Sequence, residues 1–204
     1  MFGLPESTEL NKRLSKEAIF TKFQMNNAQK EKFDAEVSRI RIIAEISPYS
    51  TNIAKGETVE AVFVLQVLLK QKDFSVSTVA QIAKFVDRNM LFVLEHEEKY
   101  KLAIYHTRLI QTEWMVFDDC TVTLKGLNLD AVWENLVRSI EGGEWSEKLS
   151  LEENIALHEK QAKLEKEIAH LEKLARNEKQ PKKKFELVQM IKALKKECVV
   201  NEKK

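Results

Sequence analysis

Apolar residues recur along this chain at two spacings, three to four and two, and the switches between them mark out its elements. In residues 5–36, Leu10 and Leu14, then Ala18, Ile19 and Phe23 behind Ser15, then Phe33 and Val37 follow the helical spacing. Two or three short helices are predicted there, with Ser15 as an N-cap. Ile40, Ile42, Ala44 and Ile46 then alternate with Arg41, Ile43 and Glu45 until Ser47-Pro48, which reads as a strand ending in a turn. Residues 61–69, AVFVLQVLL, are nearly continuous in apolar and β-branched side chains, the composition of a central strand covered on both faces.

Ser75 or Ser77 can cap a helix that presents Val79, Ile82, Ala83 and Val86. MLFVLEH and KYKLAIYHT read as a hairpin about residues 97–99, and residues 114–117 and 121–124 as further short strands. In GLNLDAVWENLVRSIEGG, Asn128 can cap, Leu127 and Val132 can staple the entry, and Gly142 can take the left-handed exit. Leu129, Val132, Trp133, Leu136, Val137 and Ile140 then share one face, which belongs on the sheet. Short connections favour antiparallel neighbours, so residues 1–148 are predicted to be an α+β domain with a mostly antiparallel sheet and packed helices.

Residues 149–204 change character. Ser150 with Glu153 forms a capping box, after which Leu157, Gln161, Leu164, Ile168, Leu171 and Ala175 step by four and three, the spacing of a helix seam. The later series Leu187, Ile191, Leu194 and Cys198 is out of phase with the first. The break falls at NEKQP, and a proline is tolerated in a first helical turn but not in an interior, so Pro181 should begin a second helix folded back antiparallel. On that helix Leu187, Met190, Ile191, Leu194 and Cys198 lie within an arc of about 100°, with Lys182, Lys192 and Lys196 opposite and Lys195 on the flank.

Charge sharpens this division. The 204 residues carry 33 Lys and Arg against 32 Asp and Glu, so no global field attracts nucleic acid or membrane. Residues 149–204 nevertheless hold 14 Lys or Arg and 10 Glu, a net +4 that leaves −3 for residues 1–148. The lysines Lys182, Lys183, Lys184, Lys192, Lys195 and Lys196 could therefore meet phosphates, although from Gln180 on there is no arginine and one aromatic residue to read or stack on bases. The apolar stripe of Leu187, Ile191 and Leu194, together with Trp114 near a strand edge, is the alternative contact surface, with another protein as its partner.

Chemistry is scarce. Cys120 and Cys198 lie far apart without a CxxC, which argues against a disulfide framework and a zinc site and for a reducing, cytoplasmic setting. No segment has the core of a signal peptide or the length of a membrane span. His96 and His106 fall at opposite ends of the predicted hairpin, roughly 20 Å apart at about 3.3 Å per residue, too far to share an ion. Glu45 followed by Gln66 and Lys70 echoes the metal-dependent nuclease pattern, but the uncharged Gln66 would ligate a divalent ion poorly. No catalytic residue, metal site or cofactor is expected.

Taken with MFGLPESTELNKRLSKEAIF, RIRIIAEISPYS, EAVFVLQVLLK and NEKQPKKKFELVQMIKALKKE, these segments make the chain resemble, over essentially its whole length, the bacterial and archaeal family DUF4391, a domain of unknown function. The resemblance implies a small accessory protein of the kind encoded beside helicases and DNA methyltransferases of restriction or phage-defence type. It carries over no functional residue. The expected function is a non-enzymatic interaction subunit docking through the helical hairpin on such a partner or on a second copy. Nucleic-acid binding through the lysine-rich helix is the alternative, and a cryptic metal-dependent nuclease a third reading.

Overall fold

The computed structural model describes residues 2–86, 88–143, 145–146 and 149–201, with side chains through residue 196. The chain divides into two compact units, Met1–Gly143 and Glu144–Lys204. In the first, strands β1 (Glu9–Leu14), β2 (Val37–Ile46), β3 (Val62–Leu69), β4 (Asn89–His96), β5 (Lys99–Tyr105) and β6 (Leu109–Gln111) form one sheet in chain order. Every neighbouring pair is antiparallel except β3 and β4. The helices are α1 (Lys16–Lys22), α2 (Asn27–Glu36), the single turn α3 (Pro48–Thr51), α4 (Val76–Val86) and α5 (Leu129–Glu141). The unit is α+β, as its patterning predicts.

Strand alternation distributes the core. Leu65, Val67 and Leu69 of β3 and Met90, Phe92 and Leu94 of β4 point to one face, where Ile19 and Phe20 of α1, Phe33 of α2 and Val79 and Ile82 of α4 close over them. Val62, Val64, Leu91, Val93 and Ile104 point to the other and are equally buried. α5 packs on β5 and β6, burying all six residues of its predicted apolar face. Asn128 accepts the Ala131 N–H at 2.9 Å, and Gly142, at φ +68°, ends the helix in the left-handed region.

Two long-range polar contacts fix the connections. Glu36, at the end of α2 and 5% exposed, accepts hydrogen bonds from the Ser75 N–H (3.1 Å), the Ser75 hydroxyl (3.0 Å) and the Thr78 hydroxyl, so a carboxylate distant in sequence helps cap α4. Its own carbonyl accepts from Lys70 N–H at 2.8 Å. Asp130, in the first turn of α5, accepts from the N–H groups of Glu57 (2.6 Å), Thr58 (3.2 Å) and Val59 (2.8 Å) and from the Thr58 hydroxyl (2.8 Å). These donors, Thr58's hydroxyl foremost, hold its carboxyl below the usual carboxylate range. Gly56 is obligatory there, since a Cβ would lie 2.3 Å from the Asp130 Oδ1.

Three expectations are corrected. Leu10 and Leu14 lie on β1, not a helix: a spacing of four puts two residues on one face of a strand as well as of a helix, and pairing with β2 decides between them. Residues 114–117 and 121–124 are not strands. Met115 makes an isolated bridge with Tyr100, residues 117–119 form a 3-10 turn, and Val122 donates to the Phe2 carbonyl, while the strand beside β5 is the three-residue β6. Leu127 is 93% exposed and staples nothing. The β4–β5 turn is the two residues Glu97 and Glu98, both at positive φ, as a tight hairpin of matching twist requires.

The second unit consists of α6 (Leu151–Asn177) and α7 (Pro181–Asn201), in contact with each other. Joined by three residues, two packed helices must run antiparallel. Among the described residues no helix is long and apolar enough to cross a membrane.

Replacing Glu36 by alanine removes the acceptor for one buried backbone donor and two hydroxyls. We expect it to lower stability by about 2–4 kcal/mol in denaturant unfolding, where Glu36→Gln, which keeps one acceptor oxygen, should lose less.

A candidate docking surface on the C-terminal helical hairpin

The hairpin is built by local chemistry at three points. At its start Ser150 Oγ accepts from Glu153 N–H (3.2 Å) while Glu153 accepts from Ser150 N–H (2.8 Å). Asn154, fully buried, accepts from Ser146 N–H and donates to the carbonyls of Ser146, Leu149 and Ser150, all at 3.0 Å, tying the entering strand of chain to the first turn. At the reversal, Glu178 N–H closes on the Leu174 carbonyl, Gln180 N–H on the Glu178 carboxylate at 2.8 Å, and Pro181 opens α7. Further along, Lys195 Nζ reaches Glu172 at 2.8 Å, joining the two helices. That hydrogen bond, then the charge of the same ammonium, holds the Glu172 carboxyl below its ordinary range.

Burial follows the predicted seam. Leu164 and Ala175 are buried and Leu157, Gln161, Ile168 and Leu171 half-buried, while the positions between 162 and 170 that fall off the seam are exposed. On α7, Ile191 is 9% exposed and Leu187 and Leu194 are half-buried. Met190, expected in the same stripe, is 55% exposed. It stands at the stripe's flank on the helical wheel, so the antiparallel partner does not reach it. Cys198 lies outside the residues whose side chains are described.

What the seam leaves uncovered is a cleft of about 470 Å³ on one flank of the hairpin, lined by Leu174, Leu187 and Met190, with Lys183, Glu178 and Glu186 among the surrounding residues. Leu174 is 44% exposed, and Phe185 of the same helix is 64% exposed. Lys182, Lys183, Lys184, Lys192 and Lys196 are all exposed and, among the described residues, free of ion pairs, whereas Lys195 is held by Glu172.

The other candidate residues lie in different places. Trp114 is half-buried against the sheet core, with the Lys101 ammonium 5.2 Å from its ring centroid and the His96 ring at 6.5 Å. Burial lowers the Lys101 ammonium's pKa, an effect opposed by Glu113 and reinforced by Lys72. His96 pairs with Lys99 beside the hairpin turn, and His106 follows the far end of β5. Glu45 pairs with Phe63 and Gln66 with Arg41, so the two sit on opposite faces of the sheet and cannot converge on one ion. Gln66 instead donates to Glu95 at 2.6 Å. Cys120 is buried in the core, and desolvation pushes its thiol up to about 11, the behaviour of an inert side chain. Among the described residues no group of three or more His, Cys, Asp and Glu could hold a metal.

A family model described as Domain of unknown function (DUF4391) matches residues 2–198. The chain belongs to the DUF4391 family. That match spans both the sheet unit and the hairpin. No curated protein and no solved structure matches the chain.

Ile191→Ala should weaken the helix pair by about 2–4 kcal/mol, read as faster amide exchange along α6 and α7, while Met190→Ala should change it by less than about 0.5 kcal/mol.

Proposed function

We propose that this protein is a non-enzymatic interaction subunit whose hairpin docks on a larger protein through the Leu174, Leu187 and Met190 cleft. The observation that carries the reading is the exposure of Met190 and Leu174 on a helix pair whose seam is otherwise satisfied, because large apolar side chains left on a rigid flank mark contact surfaces. The acids and the lysine around the cleft suit an amphipathic partner helix that presents two or three apolar side chains flanked by both charge signs. The resemblance noted from sequence supplies the partner's class, a helicase or DNA methyltransferase of a restriction or phage-defence system.

A second reading, nucleic-acid binding through the lysines, is favoured by one observation: Lys182, Lys183 and Lys184 occupy the first turn of α7 with no carboxylate partner. A short lysine run at the start of an otherwise mixed-charge helix equally marks a solvated surface.

Affinity purification from the native host, followed by reconstitution with the purified candidate, separates the two. Docking predicts that a helicase- or methyltransferase-class protein co-purifies, that Met190→Glu or Leu174→Glu abolishes the reconstituted complex, and that glutamine at Lys182, Lys183 and Lys184 leaves it intact. A complex indifferent to Met190 and Leu174, or lost with the lysines and on nuclease treatment, would contradict docking.

A further inference from the structure

On the first two strands of the sheet, the register places Arg13 of β1 directly opposite Arg41 of β2. Directly opposed residues hold their Cβ atoms about 4.5–5.5 Å apart, where like charges destabilise the pair. Arg39 lies on the same face, since its partner Leu68 and Arg41's partner Gln66 are two apart on β3. It precedes Arg41 by about 6.6 Å along the strand.

Three arginines thus share one face of neighbouring strands, and among the described residues none of them has an ion pair. Arg41 Nε is buried without any hydrogen-bond acceptor. A desolvated guanidinium nitrogen left unpaired costs free energy, and so does the Arg13–Arg41 opposition. Gln66, the residue next across the sheet, spends its amide N–H on Glu95, and Glu95 also lies near the Tyr100 hydroxyl, at 3.5 Å. That carboxylate sits two strands from Arg39, whose partner Leu68 pairs with Glu95, about 9.6 Å away at the spacing of neighbouring strands. A cleft of about 450 Å³ opens where β1 ends and β2 begins, with Arg13, Arg39, Lys16, Ser15 and Ser38 in its wall; Arg41, the partner of Arg13, stands next to that wall and not in it. Of the two acids that line it, Asp34 is already bonded to Lys16, and Glu17 has no ion pair among the described residues.

We propose that Arg13, Arg39 and Arg41 form a binding site for phosphate groups, with the Ser15 and Ser38 hydroxyls completing it. Arginine's planar fork suits tetrahedral oxyanions, and an anion between Arg13 and Arg41 turns their repulsion into attraction. The site is independent of the hairpin. Phosphate could be presented by a nucleic-acid strand or by a free phosphate ester, and both share the chemistry recognised here.

Two probes distinguish them on the full chain: a short fluorescein-labelled single-stranded DNA followed by anisotropy, and ATP followed by calorimetry, both in low salt. The proposal predicts that at least one binds and that Arg39→Gln with Arg41→Gln weakens it by about tenfold or more. It also predicts that glutamine at Lys182, Lys183 and Lys184 leaves affinity within twofold. Binding of DNA alone assigns strand phosphodiesters, and binding of ATP assigns a free phosphate ester. Arg13→Gln, at an exposed position, provides the folding control: it should weaken binding yet melt at or above the wild-type temperature. Absence of binding by both probes, loss that follows the hairpin lysines, or a lower melting temperature on losing Arg13 would each overturn the site.

Discussion

The sheet unit depends on one pairing, the parallel contact between β3 and β4. A parallel neighbour cannot be reached by a tight turn, so the chain must leave the sheet after Leu69, run through α4 and return at Asn89. The crossover helix covers one face and obliges the strands beneath it to be apolar, which is why Leu65, Val67, Phe92 and Leu94 are fully buried there. The antiparallel strands on either side then extend the sheet outward, and burial declines with them: β1 at one edge is mostly exposed and β6 at the other is three residues long. Short, charged or bulged edges resist further pairing, and β1 has a register shift between Glu9 and Lys12 as well as Lys12 and Arg13.

The hairpin works by a different economy. Its stability comes from a single seam between two helices, and few residues stand behind that seam, so large apolar side chains on its flank are left at the surface. Met190 and Leu174 are such residues. In the sheet unit most large apolar side chains of the strands are buried, while Arg13, Arg39 and Arg41 share a face of β1 and β2. The proposed docking surface and the proposed phosphate site therefore fall on different units.

Elements defined by neighbouring residues were legible in the amino-acid sequence. Ser150 and Glu153, Asn128 and Gly142, and the reversal at Pro181 rest on capping rules that act within four residues, and each stands where those rules place it. β1 was not legible, because Leu10 and Leu14 fit both periodicities and β2 alone decides. The Glu36 cap on α4 joins residues 39 and 42 positions apart, and no local pattern announces it. The candidate sites divide in the same way. The stripe on α7 could be read from its spacing, although its exposed member, Met190, emerges only once α6 occupies the rest. The Arg13–Arg41 opposition depends on the β1–β2 register beyond its bulge between Glu9 and Lys12, and could not have been found before the strands were paired.

The account rests on the chain doubling back at residues 178–180, so that one face of α7 is occupied by α6 and another is left for a partner. Spin labels at Lys163→Cys and Lys196→Cys, with Cys198→Ser to remove a competing thiol, measure this in the full chain by pulsed electron resonance. Antiparallel helices predict a separation on the order of 10–25 Å, label tethers included, since packed axes lie about 8–10 Å apart. A distance near 50 Å, the length of about 33 residues of unbroken helix, would contradict it.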